Sequence, residues 1–146
     1  RLQCNDPNAP PCPVDPATSQ FGYLSIRRKF TNKTGSSVTR LRFHIADITT
    51  LGSPGGGVGS GQADLRALTS SQITVLVNGT PTTVEGTTLE QPPTQTLGGG
   101  LNSSMSVGTI TFATPLPNGQ SVNVQFMFGV QQGGRFRVFV NVEALP

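Results

Sequence analysis

The sequence predicts an all-β protein: an antiparallel immunoglobulin-like sandwich of about seven or eight strands behind an extended N-terminal arm. Charged residues make up only 12% of the 146 residues, whereas glycine occurs 18 times and proline 12 times, which suits short strands joined by turns. Several segments alternate apolar and polar residues with a period of two, as strands with one buried face do. Turn signals separate these segments, the strongest being Asn78-Gly79. These observations place the sandwich domain in residues 21–146 and the arm in residues 1–20.

The first two strands are predicted from the segments FGYLSIRRKF and VTRLRFHIADI. The positions that alternate toward the core are Leu24, Ile26, Phe30, Leu41, Phe43 and Ile45. We expect the two strands to form a hairpin around TNKTGSS, which places like charges opposite each other. Arg27 then faces Arg42, and Lys29 faces Arg40.

The remaining elements are predicted from short apolar runs and the turns between them. LGSPGGGVGSG and EQPPTQTLGGGLNSS are expected to be long loops, and ADLRALTSS a single helical turn. ITVLVNGTPTTVEG is expected to be a hairpin that turns at Asn78-Gly79. We further expect SVGTITFATPL and SVNVQFMFGV to be strands joined by the turn PNGQ, with QQGG closing a last hairpin into RFRVFVNVEAL.

The arm in residues 1–20 contains five of the prolines and both cysteines, Cys4 and Cys12. A zinc site needs four ligands, so we predict a disulfide that closes a small loop; two unpaired thiols are the alternative. A disulfide implies an oxidising compartment, and a start at RLQC is what we expect of a trimmed export product. Export would permit glycosylation at three sequons, which begin at Asn32, Asn78 and Asn102.

Three segments resemble a domain of secreted or surface proteins from environmental bacteria of the Acidobacteria type. They are RRKFTNKTGSSVTRLRFHIADITT, ADLRAL and SVNVQFMFGVQQGGRFRVFVNVEAL, and the resemblance covers about residues 21–146, most of the chain. It implies export and a β-sandwich. It implies no activity and transfers no functional residue.

Residues suited to catalysis are sparse in this sequence. His44 is the only histidine and shares its strand face with Arg40 and Arg42, whereas a catalytic base needs a carboxylate to orient it. The seven carboxylates are scattered, tryptophan is absent and tyrosine occurs once, so a sugar-binding cleft lined with aromatic rings is not indicated. We therefore predict that the protein is not an enzyme and has no cofactor and no metal site.

Basic residues recur on the polar side of the predicted strands and form a candidate interaction face. Its members are Arg27, Lys29, Arg40, Arg42, His44, Arg135 and Arg137. One interpretation is a solvated face that discourages strand edges from aggregating; the other is a face that binds an acidic partner. Arg28 falls on the core-facing side of its predicted strand. We therefore expect its charge to reach solvent at the strand end or to pair with Asp47.

These observations favour a non-enzymatic extracellular structural subunit or surface-assembly domain, whose partners are copies of itself in a homo-oligomer or filament. The prolines favour an extended arm, which we expect to contact an adjacent subunit through the proline-free stretch around residues 17–22. The alternative function is a binding module for an anionic polysaccharide that uses the basic strand face. The net charge of +3 without a basic helix predicts no nucleic-acid partner, and no apolar run is long enough to predict a membrane span.

Overall fold

The computed structural model describes residues 21–50, 61–90 and 98–146. The predicted arm with Cys4 and Cys12, most of the first glycine-rich loop and part of the second loop lie outside these residues. Nine strands lie within them: β1 (Tyr23–Thr31), β2 (Arg40–Ile48), β3 (Asp64–Leu68), β4 (Ile73–Val77), β5 (Thr80–Val84), β6 (Thr88–Leu89), β7 (Ser104–Ser106), β8 (Ser121–Gln132) and β9 (Val138–Leu145). The described part of the chain is therefore all-β, as predicted.

The strands form two larger antiparallel sheets and one separate hairpin. One sheet has the order β1-β8-β3, the other has the order β6-β7-β2-β9, and β4 pairs with β5. The central strand β8 is 12 residues long, and β3 pairs with only its second half. On the same edge of β8, beyond the end of β3, Glu85 pairs with Val124 in an isolated bridge. The β4–β5 hairpin is thereby attached to the first sheet at its base.

The two larger sheets bury their apolar side chains in one shared core. All three core positions predicted for β2, Leu41, Phe43 and Ile45, are buried. Phe43 packs edge-to-face on Phe126 of β8 and against Phe30 of β1, with both ring centroids at 4.8 Å. The alternation in the sequence therefore predicted which faces of β1 and β2 turn inward.

The predicted hairpin between β1 and β2 is wrong, because the two strands lie in different sheets. Arg27 faces Gln125 and Lys29 faces Asn123, both on β8. The segment between β1 and β2 crosses from one sheet to the other, and the buried side chain of Asn32 fixes its path. Its Nδ2 donates to the carbonyl oxygens of Ser36 and Leu116, each at 2.8 Å. The chain therefore passes over the edge of the core instead of folding back on β1.

Three other predicted elements also differ. β8 and β9 belong to different sheets, so QQGG does not close a hairpin: its two glutamines end β8, and the chain from Gly133 onward connects the sheets. ADLRAL contains the strand β3 instead of a helical turn. The strand predicted over SVGTITFATPL is wrong, because only its first residue, Ser106, belongs to a strand, as the last residue of β7. The following segment turns back on itself, with Thr111 and Thr114 bonded to each other through both backbone N–H groups at 3.2 Å.

The predicted hairpin at Asn78-Gly79 is confirmed. β4 and β5 pair in register from Ile73 opposite Val84 to Val77 opposite Thr80. Asn78 has φ 51° and Gly79 has φ 80°, the left-handed pair that a two-residue type I′ turn requires.

Candidate functional site

The seven residues of the candidate interaction face are divided between the two sheets. Arg27 and Lys29 lie on β1, whereas Arg40, Arg42 and His44 lie on β2. Arg135 and Arg137 lie in the connection that precedes β9. The single strand-paired basic face of the sequence prediction is therefore not present, because its register depended on the β1–β2 hairpin.

On the second sheet, carboxylates neutralise the arginines. Arg42 faces Glu143 across the β2–β9 pair, and its Nε donates to Glu143 Oε2 at 2.5 Å. Glu90 accepts from Arg40 Nη2 at 2.8 Å and lies 3.4 Å from Arg42 Nη1. Side chains of opposite charge alternate across this face. It therefore offers little net charge to an acidic partner.

The ion pairs of this network shift the pKa values of Glu90 and Arg42. Burial raises the pKa of Glu90, but hydrogen bonds from Arg40 and Ser106 and the charges of Arg40 and Arg42 outweigh it and hold this pKa below its usual value. The hydrogen bond to Glu143 raises the pKa of Arg42 against partial desolvation. Both shifts favour the charged forms of Glu90 and Arg42.

Arg137 and Asp47 form a further ion pair. Arg137 Nε donates to Asp47 Oδ2 at 2.5 Å, and this hydrogen bond together with the carboxylate charge raises the pKa of Arg137. Asp47 is therefore bonded to Arg137 and not to Arg28, whose Nη1 donates to the carbonyl oxygen of Arg27 at 2.9 Å. The predicted pairing of Arg28 with Asp47 is wrong.

An ion pair that the sequence prediction missed lies buried on β3. Arg66 is 3% exposed and Asp64 is 6% exposed. Arg66 donates to both carboxylate oxygens of Asp64, and the Thr50 hydroxyl donates to Asp64 Oδ1 at 2.9 Å. The signal was the Asp-x-Arg spacing, which puts two side chains on the same face of a strand. Because these groups satisfy each other, the cluster is a structural element of the fold.

Three cations on β1 have no carboxylate partner among the described residues: Arg27, Arg28 and Lys29. They line one side of a cleft of about 320 Å³, which we call the cationic cleft. The opposite side consists of β4 and β5 side chains, including Leu76, which is 73% exposed. The Oε1 atom of the buried Gln125 accepts a hydrogen bond from Arg27 Nε at 2.9 Å and so fixes the orientation of that guanidinium.

The second candidate surface is the open edge of β9. Among the described strands β9 pairs only with β2. The carbonyls of Arg137 and Leu145 accept bonds from Thr49 and Thr39 at the two ends of β2, so the odd-numbered residues turn their backbone toward β2. Backbone groups alternate along a strand, so four residues direct their N–H and C=O groups to the unpaired side: Val138, Val140, Val142 and Ala144.

An apolar opening of about 250 Å³ adjoins this edge, between β1 and β9. Phe30 and Leu41 line it from within, and Val142 and Ala144 line it from β9. Val142 is 51% exposed although its side chain is on the core-facing side of the strand. The open edge of β9 therefore combines free backbone groups with an accessible part of the core.

The other predicted site residues are placed as follows. His44 is half-buried, and its Nδ1 lies 3.4 Å from Ser104 Oγ. Asn32 is buried with its Nδ2 donating to two carbonyls, a position that leaves no room for a glycan, whereas Asn78 and Asn102 are exposed.

Within the described ranges no three side chains of the metal-binding types come together, and no helix has the length and hydropathy needed to cross a membrane.

The fold and these surfaces define an all-β domain with an open strand edge and a separate cationic cleft. No protein-family model matches the chain, and comparisons with curated proteins and with solved structures give no match.

Proposed function

We propose that this protein is a non-enzymatic extracellular structural subunit, an immunoglobulin-like β-sandwich that assembles with copies of itself. The observation that carries the proposal is the open edge of β9, where Val138, Val140, Val142 and Ala144 present unpaired backbone groups along an eight-residue strand. An exposed strand edge of this length is a template for pairing with another chain.

The sequence of β9 supports pairing because it lacks the features that guard strand edges. VFVNVEAL contains neither lysine nor proline, and its one charge, Glu143, is engaged by Arg42. Phe139 and Leu145 remain exposed on its outer face. By contrast, β1 is also the last strand of its sheet in the described residues, but three consecutive cations guard it. The edge of β9 therefore has the composition expected of an interacting edge, and the edge of β1 that of a protected edge.

The proposal is tested by placing a charge that points inward at the open edge. In Val142→Lys the ammonium group would enter the apolar opening when a second strand covers it, so we expect self-association to weaken about tenfold or more. Phe112→Lys is the matched control, because Phe112 is 87% exposed and lies outside every strand. Sedimentation velocity over a concentration series measures the association, and thermal unfolding shows whether both variants retain the fold.

Two results would count against this function. The first is an intact chain that remains monomeric at high concentration. The second is equal association of Val142→Lys and Phe112→Lys, because an interface at β9 must distinguish the two positions.

A further inference from the structure

We propose that the cationic cleft binds the proline-rich arm of a second copy of this chain through the arm's two aspartates. The inference rests on the proposed self-assembly and names a contact that would join the copies head to tail. It uses the charge and shape of the cleft, the sequence of residues 1–20, and the point at which that segment joins β1.

The two walls of the cleft suit an extended peptide that carries acidic side chains next to aliphatic ones. Arg27 and Lys29 share one face of β1 and Arg28 lies on the other, yet all three line the cleft and no described carboxylate is paired with them. The facing wall offers the aliphatic side chains of Val75, Leu76 and Val77. None of the lining residues is aromatic, so a sugar ring finds no face on which to stack. A peptide with acidic and aliphatic side chains matches both walls.

The chain itself contains such a segment. Between residues 2 and 26 there is no lysine or arginine, and the only charged residues are Asp6 and Asp15. Each aspartate precedes a proline, which favours an extended backbone at that position, and Val14 lies beside Asp15. The carboxylate can therefore meet the cations of β1 while the valine and proline contact the aliphatic wall.

The connection to β1 favours a second copy over the chain's own arm. Phe21 N–H donates to the Val130 carbonyl at 2.8 Å, and Val130 N–H donates to the Gly22 carbonyl at 2.9 Å, so residues 21 and 22 are tied to β8 just before β1 begins, with Gly22 at φ 88°. The cleft residues lie farther along the strand, roughly 17 Å from Gly22 at about 3.3 Å per residue. Asp15 is six residues before Phe21, about 20 Å of extended chain, so it would reach the cleft of its own copy only if the chain reversed immediately before β1. An arm that binds the next copy continues outward and produces a head-to-tail contact, which grows into a linear assembly when it does not close.

Zero-length carbodiimide cross-linking tests the contact, because it joins a carboxylate only to an amine that touches it. We mix full-length chains labelled with ¹⁴N and ¹⁵N and identify the cross-linked peptides by mass spectrometry. Peptides that join Asp15 or Asp6 to Lys29 and combine both labels are expected. Arg28→Gln should lower their yield about 1.5- to 5-fold, the effect of one exposed ion pair. Arg135→Gln is the matched control, an exposed arginine outside the cleft and in none of the five ion pairs of the described residues.

Several outcomes would overturn the inference. Cross-links confined to chains of one label would show that the arm binds its own cleft. Equal losses in Arg28→Gln and Arg135→Gln would show a general effect of charge. Absence of the Lys29 cross-links in a sample that sedimentation shows to be associated would remove the arm from the cleft while leaving assembly through β9 intact. Retention on polygalacturonate that depends on Arg28 but not on Asp6 and Asp15 would make the cleft a site for an anionic polymer instead.

Discussion

Arg42 and Glu143 lie directly opposite each other on β2 and β9, and the Arg42 Nε donates to the Glu143 carboxylate at 2.5 Å. The pair ties the open-edge strand to the centre of its sheet. Glu90 approaches the same guanidinium from the other side and also binds Arg40. The two glutamates and two arginines therefore act as one network, and removing one member leaves the others imperfectly compensated.

The network predicts a dependence of stability on pH through Glu90. The folded-state pKa of Glu90 is lowered relative to the unfolded chain, so its contribution to the free energy of unfolding is complete above about pH 4.5. That contribution is lost as the pH falls through the lowered folded value. We expect the difference in unfolding free energy between the native chain and Glu90→Gln to be complete at pH 6 and to shrink as the pH falls below about 4.5 and through the lowered folded-state pKa. Urea denaturation at each pH measures it, and a difference independent of pH would contradict the network.

For the buried Arg66–Asp64 pair, we predict that replacing one partner lowers the free energy of unfolding much more than replacing both. Arg66→Ala leaves a buried carboxylate without its cation and should lower the unfolding free energy by about 3–5 kcal/mol. Arg40→Ala removes an arginine from a solvated pair and should cost less than about 1 kcal/mol. The double variant Asp64→Leu/Arg66→Met should recover much of the loss because no unpaired charge remains. Chemical denaturation of the three variants tests this order.

The Asn78-Gly79 turn predicts a local effect at the wall of the cationic cleft. A side chain at Gly79 meets no neighbour, so Gly79→Val reports only the strain of a positive φ, about 1–2 kcal/mol. The β4–β5 hairpin is mostly exposed, so we expect amide exchange to increase about 5- to 30-fold within residues 73–84 while the core exchanges as before. Gly108→Ala is the control, at an equally open position without positive φ. Faster exchange throughout the core would show that the hairpin is essential for global stability.

The Cys4–Cys12 disulfide stays a prediction from the sequence, because both residues lie outside the described ranges. Intact-mass measurement should show a gain of two hydrogen atoms after reduction, because the disulfide takes up two electrons and two protons from the reductant. Labelling of the unreduced chain with maleimide is the control, and attachment of two labels would establish free thiols.

Local patterns in the sequence predicted the faces of the strands but not their partners. The alternation that buries Leu41, Phe43 and Ile45 depends only on neighbouring residues. The partner of Arg27 depends on Gln125, almost a hundred residues away in the sequence, and no local pattern distinguishes the crossing at Asn32 from a hairpin turn. The order of strands in a sheet decides which strand has an open edge, so the exposed position of Val142 could not be read from VFVNVEAL alone.

Amide hydrogen exchange along β9 tests the central claim most directly, because adjacent residues serve as each other's controls. The N–H groups of Asn141 and Glu143 face β2, whereas those of Val140 and Val142 face the open edge. We predict that Asn141 and Glu143 are protected at every protein concentration, and that Val140 and Val142 exchange freely in dilute solution and become protected as the protein associates. If Val140 and Val142 still exchange freely in the associated protein, or are already protected in the monomer, the open edge of β9 is not the assembly interface.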